Sequence, residues 1–518
     1  MIARWALAGL LLLGLAPAVV AEESLWFEQG RPNPAALQAL ELLAAAPADG
    51  LDPRDYDTQR LTDALTQSAL GPLAGEALSH LDARLTLAMQ RLLSDLHGGR
   101  IDPRQIHANF DLAPPAPFDP AAVLREALIR QRLPQAVREA APALSQYANL
   151  RNALALYRAL AKSEAWQRPL APVPRKKLEP GQDWPGTPAL RQRLLALGDL
   201  APDASVPALA TRYEGALVQA VQGFQQRHGL DSDGVIGADT WSQLALTPEQ
   251  RVRQIELTLE RLRWTPLLAG PRMIVVNLPE FVLRAYEVHD GRIDLRLESK
   301  IIVGSAFKTG TPLFDERMRF IEFSPYWNVP PSIARKELVP RLRRDPGYFL
   351  AQGFEFVASD GRVSSGLSDA QLEAVLGGQM RLRQRPGPKN ALGSIKFVFP
   401  NNDNIYLHDT SAPELFARAR RDFSHGCIRV EQPLALAKFV LQDQPDWDEQ
   451  RIRDAMAQGH SATLKLTDAI PVVIAYSTVV VKQGKVNFLR DLYGHDRVLD
   501  QALRQHSAKL QAPNARAR

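Results

Sequence analysis

Cysteine is almost absent: Cys427 is the single one in 518 residues. An internal disulfide is therefore excluded, and with it the small disulfide-stapled classes. No HExxH pattern occurs, and one cysteine makes no CxxC pair, so the common zinc signatures are missing. Surplus charge is also scarce, with 62 Lys and Arg against 57 Asp and Glu and a net charge of +5. So weak and dispersed a surplus excludes the concentrated basic footprint of nucleic-acid binding. It suits an exported protein working beside an anionic polymer. Beyond residue 21 no stretch is long and apolar enough to cross a bilayer.

What is present reads as a multidomain chain. A composition of 45% hydrophobic and 23% charged residues is that of ordinary globular protein, and the length suits three or four domains. Residues 1–21 stand apart. Arg4, the apolar stretch Trp5–Leu15 and Ala18-Val19-Val20-Ala21 before Glu22 have the layout of a signal peptide cleaved after Ala21. A retained membrane anchor is the alternative. Export sharpens the cysteine argument, because an unpaired thiol in an oxidising compartment is a liability unless its reactivity is used.

Residues 22–168 read as a helical scaffold. Asn33-Pro34 caps a helix carrying Leu37, Leu40 and Leu43. Leu51-Asp52-Pro53-Arg54 and Ile101-Asp102-Pro103-Arg104 repeat one helix-restarting device. Residues 169–188 hold Pro169, Pro172, Pro174, Pro180, Pro185 and Pro188, which predicts a stiff, exposed linker. In 189–247 the stripe Tyr213, Leu217, Val221 and Phe224 ends at Gly229. An Asp231-Ser232-Asp233-Gly234 turn leads to a second helix with Thr240, Trp241 and Leu244. His228 reads as a capping residue.

A connecting helix spans 248–268, with Val252, Ile255, Leu259 and Leu262 on one face. From 269 to 480 the period shifts to strands, at 273–277, 281–288, 295–303, 319–323, 396–399 and 404–408. Residues 332–388 interrupt them as an insertion with the texture of a lid, carrying Arg335, Lys336, Arg341, Arg343 and Arg344. Residues 481–518 are a C-terminal extension whose end, Ser507–Arg518, reads as disordered. The fold class is multidomain α+β.

The β-rich region contains Ser424-His425-Gly426-Cys427-Ile428-Arg429, with His408 nineteen positions before the cysteine. An imidazole accepts a thiol proton and turns a weak nucleophile into a strong one. His425 would share a face with Cys427 in an extended chain, and His408 would meet it across a sheet; spacing leaves both open. Gly426 permits a tight turn that aims the amides of Gly426 and Cys427 at one oxygen, the raw material of an oxyanion hole. Those parts imply acyl transfer through a thioester. The bland alternatives are an inert core cysteine and a zinc site made of His408, His425, Cys427 and Asp409.

His408 followed by Ser424-His425-Gly426-Cys427 resembles the signature of the L,D-transpeptidases, bacterial cell-wall enzymes with a β-rich catalytic domain. Lys308-Thr309-Gly310-Thr311-Pro312-Leu313, Tyr326-Trp327-Asn328-Val329-Pro330-Pro331-Ser332 and Pro388-Lys389-Asn390-Ala391-Leu392-Gly393 resemble the larger members. The segment Phe224–Leu230 with Asp233–Gly237 and Thr240-Trp241 is similar to the small peptidoglycan-binding domain. The resemblance implies Cys427 as nucleophile and His408 as general base and acid. It implies His425, Gly426 and Cys427 around the oxyanion and Ser424 as support. Tyr406 and Trp327 would line the cleft, and Arg429, where some members carry asparagine, would contact substrate or form an ion pair.

The implied partners are peptidoglycan stem peptides and glycan strands, with other cell-wall synthesis enzymes beside them in the periplasm, and no metal or other cofactor. The implied reaction is 3→3 cross-linking. Hydrolysis, exchange with a free D-amino acid and lipoprotein anchoring use the same acyl-enzyme. A degenerate peptidoglycan-binding protein is the rival of another class.

Overall fold

The computed structural model describes residues 24–107, 110–113, 116–173, 176–266, 270–289, 292–306 and 309–512. The expected leader 1–21, Pro174 and Lys308 lie outside them. Among the described residues no helix is long and apolar enough to cross a membrane.

The β-rich region is a sheet that closes on itself. Its strands run in the order Ile395–Val398, Leu407–His408, Ile428–Val430, Arg292–Ile302, Val282–His289, Arg272–Asn277, Ala462–Ala475 and Leu313–Phe323. Leu313–Phe323 then pairs back with Ile395–Val398, Phe323 opposite Ile395. Alternation sorts the side chains. Ile274, Leu283, Ile301, Ile321, Phe397, Leu407 and Ile428 are buried in one core. Their sequence neighbours therefore face the other way. Phe110–Asp111 of the scaffold adds a short parallel strand at Leu313 and Phe314.

The insertion has its own four-stranded sheet, Val363–Ser364, Phe354–Ala358, Met380–Gln384 and Trp327–Asn328. A helical stretch from Pro331 to Arg344, with a π turn at Ala334–Leu338, packs on it around Phe349, Phe354, Phe356 and Leu382.

The helix Pro248–Trp264 is more than a connector. Thr247 and Gln250 close a full capping box at its start, and Leu257 through Trp264 are all buried. Ile255, Leu259 and Leu262 pack with Tyr147, Leu150 and Leu154 of the scaffold and with Val479 and Phe488. Glu260 is wholly buried between Arg100 and Arg263. The two guanidiniums hold its carboxylate ionised against the cost of burial.

Two sequence expectations are corrected. Residues 169–188 are not an exposed linker. Leu170, Leu178 and Trp184 are buried in the core of the small helical module with Tyr213, Phe224 and Ile236. Leu178 bridges Ile236, and the Trp184 indole donates to Pro172 O at 3.0 Å. Gly186 is required there, since a Cβ would stand 2.3 Å from the Trp184 ring. Nor is 507–512 disordered. A hairpin of Val479–Lys482 and Lys485–Phe488 leads to a helix, His495–Gln511. Leu499 and Leu503, one turn apart, bury against Leu257 and Trp264. At the far end Ser507 and Gln511 donate to Asp55. The two Asp-Pro devices do start helices, but only 3₁₀ turns, with Asp52 and Asp102 accepting from Arg54 N and Arg104 N.

Candidate active site

Parallel pairing sets the site. Leu407 lies opposite Ile428 and His408 opposite Arg429, and Leu407 and Ile428 point into the core. Tyr406 and His408, like Cys427 and Arg429, therefore share the outer face. Lys396, opposite His408 on the next strand, joins them. Its ammonium lies 4.3 Å from the Tyr406 ring centroid and 2.9 Å from Glu322.

His408 is 3% exposed. Its Nδ1 lies 2.5 Å from Asp409 O, so Nδ1–H donates and Nε2 is left as the bare acceptor. Burial, reinforced by Arg429, pushes its pKa down to about 3. The Asp409 carboxylate accepts from Ser394 N, Ser394 Oγ and Thr410 N, which fixes the carbonyl that orients the ring. A Cβ at Gly393 would strike that carboxylate at 2.4 Å. A cavity of about 470 Å³ opens beside this hinge, lined by Ser394, Asp409, Thr410 and Met456 among others.

Cys427 is half-buried and unpaired. Its thiol lies 3.7 Å from Asn404 O and in hydrogen-bonding reach of Tyr406. Burial raises its pKa, and the same cause raises that of Tyr406. These directions favour a neutral thiol at Cys427 and a neutral imidazole at His408. Arg429 is half-buried, and its Nε is buried without a hydrogen-bond partner among the described residues.

The loop 424–427 is anchored from behind. Ser424 O accepts from Ser305 N at 2.9 Å and Thr309 Oγ1 at 3.2 Å. Gly426 O accepts from Thr311 Oγ1 at 2.8 Å. In a trans peptide N–H and C=O point opposite ways. Anchoring those two carbonyls therefore turns the amides of His425 and Cys427 outward, and neither has a hydrogen-bond acceptor among the described residues. Gly426 N instead donates to Ser424 Oγ at 3.2 Å, and that hydroxyl donates to Cys427 O at 2.5 Å. Gly426 N is thus engaged within the turn, whereas the amides of His425 and Cys427 face outward. Gly426 needs its freedom: φ is +118°, and a Cβ would sit 3.0 Å from Ile405 Cδ1.

The His425 ring turns away, with Nε2 2.6 Å from Glu337 Oε1 of the insertion. Trp327 lies just before the insertion and pairs with its sheet opposite Gln384, half-buried with its ring centroid 6.4 Å from that of Phe354. The basic run there is largely engaged internally: Arg341 stacks on Tyr348, Arg343 pairs with Glu373 and Arg335 donates to Leu376 O. Among the described residues no group of three or more His, Cys, Asp or Glu is placed to hold a metal ion. Sequence reasoning missed Glu337, and it missed Asp409 as the residue holding the imidazole.

Residues 271–474 match the family model of the L,D-transpeptidase catalytic domain. The chain carries an L,D-transpeptidase catalytic domain. Residues 20–154 match a scaffold domain and residues 185–244 a domain described as "Putative peptidoglycan binding domain". A Haemophilus influenzae protein named "Putative L,D-transpeptidase" is 32% identical over 250 residues, 48% of this chain. The chain spans about half of that relative, 49% of its length. A solved Clostridium acetobutylicum protein, titled as a fused Zn-dependent amidase, peptidase and peptidoglycan-binding domain-containing protein, aligns at 12% identity and a TM-score of 0.18. The alignment covers 58% of this chain and all of that one, and at such a score it carries no argument. In the L,D-transpeptidase domain the closed sheet carries His408, Cys427 directly precedes its strand Ile428–Val430, and the insertion supplies the residue facing His425.

Proposed function

We propose that this chain is an exported enzyme that forms 3→3 cross-links between peptidoglycan stem peptides. Cys427 Sγ attacks the carbonyl carbon of the third stem residue, and His408 Nε2 takes the thiol proton. The bond to the terminal D-alanine breaks, and the imidazolium returns the proton to the leaving amine. The side-chain amine of a second stem's third residue then attacks the thioester, forming the new amide and restoring the thiol. Throughout, the outward amides of His425 and Cys427 receive the charge that develops on the carbonyl oxygen. Arg429, on the same face and with a buried Nε that has no partner among the described residues, pairs with a stem carboxylate.

The observation carrying this reading is the shared sheet face. Cys427 directly precedes the strand Ile428–Val430, which pairs in parallel with the strand holding His408, and a backbone carbonyl accepts from Nδ1–H, which favours a basic Nε2. The peptidoglycan-binding domain would hold the polymer near the site and raise the local concentration of stems.

Incubation with disaccharide-tetrapeptide, followed by intact mass, tests it. Wild type gains an adduct equal to the substrate less one D-alanine and releases a cross-linked dimer, and Cys427→Ala gains nothing. Tripeptide monomer alone would mean hydrolysis. Retained binding to sacculi with no thioester would overturn the enzymatic reading.

A further inference from the structure

Tyr493 lies beyond the segment that matches the catalytic domain, which ends at residue 474. Its hydroxyl nevertheless enters the hydrogen-bond network behind the nucleophile loop. It donates to Gly304 O at 2.8 Å and accepts from Thr311 N at 3.2 Å. Thr311 Oγ1 accepts from Gly304 N at 3.0 Å and donates to Gly426 O at 2.8 Å. The phenol thus ties Gly304 to Thr311, and the clamped threonine fixes the peptide joining Gly426 to Cys427. That peptide's orientation aims the Cys427 amide.

The tyrosine is itself held. Its backbone N donates to Tyr476 Oη at 2.9 Å, and Tyr476 Oη donates to Asp491 Oδ1 at 2.6 Å. Asp491 accepts from Asp496 N at the start of the C-terminal helix. The Tyr493 ring also covers Gly310, where a Cβ would meet it at 3.5 Å. Burial raises the phenol's pKa to about 12, which keeps it a donor across the neutral range. Gly304 cannot be replaced in this arrangement, since a Cβ there would lie 2.0 Å from Thr309 O.

We propose that Tyr493 is a positioning residue for acyl transfer, setting the Cys427 amide through Thr311 and Gly426. The inference rests on the transpeptidase reading, and it makes the C-terminal segment a working part of the active site.

The test compares two reactions of one thiol. Acylation by disaccharide-tetrapeptide develops charge on a carbonyl oxygen; alkylation by iodoacetamide displaces iodide from carbon and needs no oxyanion donor. Tyr493→Phe should slow acylation roughly 10- to 100-fold with KM within about twofold, the scale of a misaimed oxyanion donor. Its alkylation rate should stay within about twofold of wild type. Thr311→Val, which leaves Tyr493 and its packing in place, should reproduce the split, and Thr311→Ser should recover most of the rate. The double variant Tyr493→Phe/Thr311→Val should be little slower than either single one.

Equal losses in both reactions would reduce Tyr493 to a structural role and overturn the inference, as would acylation by Tyr493→Phe at the wild-type rate. If Tyr493→Phe does not fold, Thr311→Val decides by the same split. Absence of any acylation in wild type would instead overturn the transpeptidase reading.

Discussion

The nucleophile loop is held very differently at its back and at its front. Behind it, Ser305, Thr309 and Thr311 bind the carbonyls of Ser424 and Gly426, and Ser424 Oγ ties the turn internally. In front, His425 Nε2 meets Glu337 Oε1 of the insertion at 2.6 Å, with the two side chains 43% and 52% exposed. Buried hydrogen bonds to backbone are costly to break, and exposed ion pairs are cheap. The back is therefore built to keep amide directions fixed while charge develops. The front is held by an exposed side-chain contact.

The comparison collapses if the chemistry does not occur at this loop. Cys427→Ala should lower cross-linking by about 10⁴-fold or more, and His408→Ala by a similar amount, as expected for members of a cooperating set. Product analysis by liquid chromatography checks both. Residual turnover above about 1% in Cys427→Ala would place the nucleophile elsewhere.

Next in size is the pH dependence of the thiol itself. Alkylation follows the thiolate fraction. Because burial raises the Cys427 pKa, the neutral thiol is favoured, and deprotonation is displaced to higher pH than in the unfolded chain. The iodoacetamide rate should climb about 100-fold from pH 7 to 9 and not level off there, whereas the denatured protein inflects near ~8.5. His408, with its pKa near 3, stays an unprotonated base down through pH 5, so no imidazole inflection near ~6.5 should appear. A plateau below pH 7 would mean a preformed thiolate and would sink the neutral-pair description.

The rigid back is probed by Gly426→Ala. The left-handed φ and the contact with Ile405 both resist a Cβ. Relaxing either one turns the 426–427 peptide, so kcat should fall roughly 10- to 100-fold with little change in KM. Steady-state kinetics on the tetrapeptide would show it.

Much of this site was legible before any coordinates, but unevenly. His408 and Cys427 announced themselves through a local motif; the strand ending at His408 was expected, whereas Ile428–Val430 after Cys427 was not. The proline-rich segment was misread because its prolines mask Leu178 and Trp184, whose partners Ile236 and Tyr213 lie a domain's width further along the chain. The C-terminal helix was misread because its apolar stripe is short, Leu499 and Leu503 in a polar setting. The Glu337–His425 and Tyr493–Thr311 contacts join residues 88 and 182 positions apart. No periodicity encodes such pairs; closure of the sheet and docking of the insertion create them.

The smallest expected effect is at the front. Exposed polar side-chain pairs of this kind are worth about 0.2–1 kcal/mol, so Glu337→Gln should loosen the insertion's hold on the loop by roughly 1.4- to 5-fold. If closure shields the thiol, that change appears as faster iodoacetamide labelling of Cys427, with kcat nearly unaltered because the back of the loop is intact. Ionic strength supplies the control. Screening at about 1 M salt weakens exposed pairs, so wild type and Glu337→Gln should converge there and differ at low salt. A loss of kcat as large as that of Gly426→Ala would mean that Glu337 positions the loop through His425. Front and back would then be one structure, and the division drawn above would fail.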